Sequence, residues 1–88
     1  MKEQTKEILT ILQEEAAEVI VEISKCLRFG IDDDKISRLN KEIGDLCLMV
    51  DLLINENIGV DAGLIDQAKQ DKIKKLKIYS NIDVDQND

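Results

Sequence analysis

The sequence predicts an all-α fold, a three-helix protomer that associates with a second copy. Apolar residues recur at helical spacing along almost the whole chain. Turn chemistry interrupts that pattern at two interior places, "GIDDDKIS" and "NENIGVD". The 88 residues suffice for one small domain, and helices of these lengths leave apolar surface that a partner subunit must cover.

The first helix is expected from about Lys2 to Phe29, with Gly30 as the residue just past its end. The aspartates of "GIDDDKIS" lack the glycine and glutamate offsets of an EF-hand loop. They read instead as a cap and N-terminal charge for a second helix, about Asp34 to Glu56. In "NENIGVD", Gly59 can take a left-handed conformation and Asp61 can cap a third helix, about Ala62 to Tyr79. Residues 1–79 form the helical domain, and residues 80–88 form a polar, acidic tail expected to fray.

Composition excludes several classes. Nineteen acidic and 12 basic residues give a net charge of −7, which opposes non-specific nucleic-acid binding. One Phe, one Tyr and no Trp make a poor stacking platform for single strands. No stretch reaches the roughly 20 apolar residues of a membrane span, and "MKEQTKEILT" is too polar for a signal peptide. A cytoplasmic protein is expected. Cys26 and Cys47 lie in apolar runs without C-x-x-C spacing, and no histidine is present. Reduced, buried cysteines are expected rather than a zinc site.

A wheel at ~100° per residue places Ile8, Leu12, Ala16, Val19, Ile23 and Cys26 on the central stripe of the first helix. Leu9, Ile20 and Leu27 widen one side, while Glu15, Glu18 and Glu22 line the other around Ile11; Glu14 turns outward. On the second helix Ile36, Leu39, Ile43, Leu46, Cys47, Val50 and Ile54 form the stripe. Glu42 and Asp45 lie beside it among Leu48, Met49 and Leu52. Each acidic pair is three residues apart and shares a helix face. Antiparallel packing would bring four carboxylates together, and unpaired they would repel. A hard divalent cation, Mg²⁺ or alternatively Mn²⁺, resolves that conflict with oxygen ligands alone.

On the third helix, Leu64, Ile65, Ala68, Leu76 and Tyr79 make the apolar face, and Lys72 falls near its centre with Lys75 at its edge. Either the Lys72 stem snorkels or its ammonium meets a phosphate. In "SKCLRFG", Ser24, Lys25, Arg28 and Phe29 offer contacts to phosphate or base; capping by basic residues and a core Phe is the competing account.

Glu14, Glu15 and Glu18 in E-E-x-x-E, with Glu42 and Asp45 in E-x-x-D, resemble the motif of the MazG-like nucleotide pyrophosphohydrolases, an all-α family. "SKCLRFG", "EIGDLCLMVDLL" and "LIDQAKQDKIKKLK" look like the corresponding segments of short, often phage-encoded members. The resemblance spans about residues 8–78. It implies a homodimer with a four-helix-bundle core, or a dimer of dimers. It also implies Mg²⁺-dependent cleavage of a nucleoside triphosphate between the α and β phosphates, giving the monophosphate and pyrophosphate. By that resemblance Glu15, Glu18, Glu42 and Asp45 are catalytic and bind metal. Lys72 contacts phosphate, and Lys25, Arg28 and Phe29 belong to the substrate site. Lys75 or Lys77 stands where some relatives carry an arginine. A phage-encoded member would act in the host cytoplasm. The alternative is a non-catalytic dimeric helical module that binds a protein or a nucleotide.

Overall fold

The computed structural model describes residues 1–85; the last part of the acidic tail, residues 86–88, lies outside the described residues. Three helices follow one another: α1 (Glu3–Phe29), α2 (Asp33–Ile54) and α3 (Ala62–Tyr79). No strand occurs among the described residues. The chain divides into two compact units, Met1–Ile58 and Gly59–Asp88.

Local chemistry sets the helix limits. Gly30 ends α1 at φ 85°, a conformation that disfavours residues with a Cβ, and its N–H donates to the Cys26 carbonyl at 3.0 Å. Asp32 then accepts from the Lys35 N–H at 2.8 Å and caps α2. Asp33 and Asp34 place negative charge in the first turn. The helix ends at Ile54, two residues before the expected Glu56. That shortening frees Glu56 for another partner. The buried Thr5 hydroxyl donates to Glu56 Oε1 at 2.5 Å, and Gln4 Nε2 donates to Oε2 at 3.0 Å. The start of α1 is thus bonded to the chain just beyond α2, so the two helices form an antiparallel hairpin.

Spacing within the hairpin explains which residues meet. On α1, Thr5, Ile8, Leu12, Glu15, Val19, Glu22 and Cys26 alternate by three and four and are all at least half-buried. On α2 the same rule picks Lys35, Leu39, Glu42, Leu46, Met49 and Leu53, and just beyond its end Glu56. This is the 3.5-residue repeat of two helices packed side by side. The seam is therefore rotated from the expected apolar stripe. Glu15 and Glu22 stand in it rather than along its border, while Ile23 is pushed out. Ile8, Met49 and Leu53 are its buried apolar residues.

The rotation leaves apolar side chains exposed. Ile20, Ile23 and Leu27 on α1 and Ile36 and Ile43 on α2 are all exposed. They fall on the same side of the seam, because reversing one helix also reverses the sense of its wheel. The cysteines likewise depart from expectation: both are free, Cys26 is half-buried, and Cys47 is exposed beside Ile43 and Ile54 on that side.

In the second unit, Asp61 caps α3 by accepting from the Leu64 N–H at 3.0 Å. The preceding Gly59 has φ 102°. Ile65, Ile73 and Leu76 are the half-buried positions of α3. Ser80 closes its end: its N–H and its hydroxyl both donate to the Leu76 carbonyl, at 3.0 and 2.8 Å. Beyond it, Lys77 pairs with Asp85 at 3.1 Å.

The Thr5–Glu56 contact yields a prediction with a defined sign. The Thr5 hydrogen bond, helped by Gln4, holds the Glu56 carboxyl below its ordinary value against the opposing effect of desolvation. Its contribution is present above the unfolded carboxyl value and is lost as pH falls through the folded one. Thr5→Val should therefore lower the melting temperature at pH 7, and the gap from the parent protein should narrow on acidification. Thermal melts across the carboxylate range check both statements.

Candidate metal centre

The middle of the α1–α2 seam brings three acids together. Glu15 from α1 and Glu42 and Asp45 from α2 each offer an oxygen, and these atoms all lie within 4.8 Å of one another. The heptad spacing puts Glu15 and Glu42 at facing seam positions. Asp45, three residues after Glu42, stands on the flank of the same turn. The Glu42 side chain is 15% exposed and that of Asp45 is 44% exposed. The cluster is therefore open on one side of the hairpin.

Charge in the cluster is only partly balanced. Lys41 Nζ lies 2.8 Å from Asp45 Oδ2 and 3.4 Å from Glu42 Oε1. Glu15 makes no ion pair among the described residues. Its carboxyl is held above the ordinary value, first by desolvation, then by the negative charges of Asp45 and Glu42; Lys41 opposes the shift and a carboxyl hydrogen bond with Glu42 adds to it. The same two acids hold the Lys41 ammonium above its ordinary value, Asp45 most strongly.

Glu18 does not join the group. It is exposed, one turn further along α1, and rotated off the seam toward the flank that carries Asp45. Glu14 is exposed, as the wheel expected. Lys25, Arg28 and Phe29 do come together, at the end of α1. With Ile20, Val21 and Ser24 they line an open cleft of about 390 Å³, and the Arg28 guanidinium lies 5.6 Å from the centre of the Phe29 ring. Ten residues of helix, roughly 15 Å along the axis, separate Glu15 from Lys25. Phe29 is exposed rather than a core residue. Lys72 is exposed on α3, in the other unit.

One acid of the seam was not expected to be buried. Glu22 is 6% exposed, its Oε1 accepts from Lys25 Nζ at 3.3 Å, and its Oε2 has no partner among the described residues. The signal was in the sequence: Glu22 follows Glu15 by one full heptad.

The donor set suits a hard divalent ion. Three carboxylates within a few ångströms, with neither imidazole nor thiolate beside them, match the ligand preference of Mg²⁺ or Mn²⁺. No helix of the described residues is long and apolar enough to cross a membrane. No family model, curated protein or solved structure matches the chain.

The charge imbalance has a thermodynamic consequence. A carboxyl raised on folding costs nothing below its unfolded value and opposes folding fully above its folded one. Stability should fall as pH rises through that window. Glu15→Gln should raise the melting temperature of the metal-free protein at pH 7 and flatten this part of the pH profile. Melts in the presence of a chelator test it.

Proposed function

We propose that this chain is a Mg²⁺-dependent nucleoside triphosphate pyrophosphohydrolase of the MazG-like kind, cleaving between the α and β phosphates. The observation that carries this reading is the convergence of Glu15, Glu42 and Asp45 within 4.8 Å. Oxygen donors alone, on two packed helices, form the type of site used by carboxylate-rich helical bundles. Bound there, Mg²⁺ would offset phosphate charge and make a nearby water more acidic.

The chain's own residues divide the remaining work. Glu15, Glu42 and Asp45 hold the ion. Glu18, exposed on the next turn of α1 and outside the cluster, is the acid left to orient the attacking water or take its proton. The water oxygen bonds to the α phosphorus, and the bond from that phosphorus to the oxygen bridging to the β phosphate breaks. Nucleoside monophosphate and pyrophosphate are the products. The Lys25, Arg28 and Phe29 cleft, with an aromatic ring beside two cations, suits the nucleoside end of the substrate.

The proposed assembly is a homodimer in which a second copy covers the exposed face of the hairpin, producing a four-helix core. Leu27 is 83% exposed and Ile20 is 67% exposed in the single chain. Burying such side chains contributes about 1.5–3 kcal/mol each.

Pyrophosphate release from a panel of ribo- and deoxynucleoside triphosphates, with and without Mg²⁺, tests the activity directly. Asp45→Asn and Glu42→Gln should each lower turnover by at least the roughly 10–100-fold that loss of even an outer metal partner costs. Absence of Mg²⁺-dependent pyrophosphate release across the panel would leave only a non-catalytic module. For the assembly, Ile20→Glu with Leu27→Glu should convert a dimer to a monomer in sedimentation at micromolar concentration. A parent protein that already sediments as a folded monomer removes the second copy from the proposal.

A further inference from the structure

We infer that Lys41 is an exchangeable internal cation, which holds the α2 carboxylates together until a divalent ion displaces it and then turns to the phosphates that the ion carries. The inference rests on the metal-binding reading of the same site and assigns a residue that the acidic motif does not contain.

The geometry makes Lys41 and a metal ion competitors. The ammonium reaches both Asp45 Oδ2, at 2.8 Å, and Glu42 Oε1, at 3.4 Å. Those two residues supply two of the three oxygen donors that converge. Mg²⁺ bonds to oxygen at about 2.0–2.1 Å. An ammonium within hydrogen-bond range of the same oxygen would stand within a few ångströms of the ion, where like charges repel strongly. One cation must yield. Lys41 can do so easily, because its side chain is 68% exposed and its four-carbon stem has many open rotamers.

No other nearby cation is so placed among the described residues. Arg38, one turn earlier on α2, is committed to Asp34. Lys35 is committed to Asp32, and Lys25 to Glu22. Lys41 therefore supplies the partial charge balance of the cluster in the metal-free protein. Once displaced it remains anchored next to Glu42, with its charge unpaired and within side-chain reach of any triphosphate held by the ion. Metal and polyphosphate are then coupled: the ion pays to displace Lys41, and the phosphate regains that interaction.

Metal binding without turnover tests this. Mn²⁺ titration followed by electron paramagnetic resonance would compare the parent protein with Lys41→Gln, Lys41→Arg and the control Arg38→Gln. Free of phosphate ligands, Lys41→Gln should bind Mn²⁺ about two- to fivefold more tightly, the scale of an exposed ion pair. Lys41→Arg should stay near the parent, and so should Arg38→Gln. Adding inorganic tripolyphosphate as the probe should reverse the order, with Lys41→Gln binding the Mn²⁺–tripolyphosphate complex roughly tenfold more weakly, the loss of a charge-assisted contact. Unchanged Mn²⁺ affinity in Lys41→Gln, or an equal gain in Arg38→Gln, overturns the role of Lys41 while leaving the metal centre in place. No Mn²⁺ binding by the parent or by Lys41→Gln overturns the metal reading itself.

Discussion

The constraint that organises this hairpin is the placement of carboxylates in a helix–helix seam. An acid at a seam position must find a donor, because burying it unpaired is costly. The chain meets that demand in three ways. Glu56 is met by Thr5 and Gln4, and Glu22 by Lys25. Glu42 and Asp45 share Lys41. Glu15 faces Glu42 and Asp45 with no cation of its own among the described residues, and its carboxyl is held above its ordinary value. Acids crowd one another midway along both helices, and one oxygen of Glu22, a heptad further along α1, also has no partner among the described residues. A structural ion pair would have been easy to complete there with one more basic residue. Without it, Lys41 leaves the charge there only partly balanced.

The same seam explains the unused apolar surface. Two helices packed on a 3.5-residue repeat present a narrow stripe to each other. When acids occupy some of those positions, apolar residues elsewhere on the helices cannot all be absorbed. Ile20, Ile23 and Leu27 on α1 and Ile36 and Ile43 on α2 are left on one side. Asp45, Lys41 and Glu18 fall on the other. The charged side is not free of apolar surface, since Leu48 and Leu52 are exposed on it. The division needs no extra chain length.

Helix number and limits were legible because they depend on short-range chemistry. Gly30, Asp32 and Asp61 act within a few residues of themselves, and each does what its position in the sequence suggests. Glu15, Glu18, Glu42 and Asp45 were read as one converging set; Glu15, Glu42 and Asp45 do come together, whereas Glu18 lies off the seam because the spacing gives a shared helix face but not the phase of the packing. The phase of the seam was not legible. A wheel weighted by hydrophobicity favours Ile23 over Glu22 and cannot foresee that Thr5 will be the most buried side chain. Thr5 can be buried because Glu56, 51 residues away, accepts its hydrogen bond, and nothing local encodes that partner. The exposure of Cys47 and of Phe29 follows from the same missing long-range information.

Packing along the hairpin is uneven, and the unevenness bears on the site. Thr5, Ile8, Met49 and Leu53 are buried at the end closed by Glu56. Toward the Gly30 turn, Glu22 is the one fully buried seam residue, and one of its oxygens has no protein partner among those described. Glu15, Glu42 and Asp45 lie between these halves. The closed end fixes the relative register of α1 and α2, which a three-ligand site requires. The open half has few buried apolar contacts, the condition under which local opening is cheap. A cation that bridges α1 and α2 at the boundary would tie the loose half to the firm one.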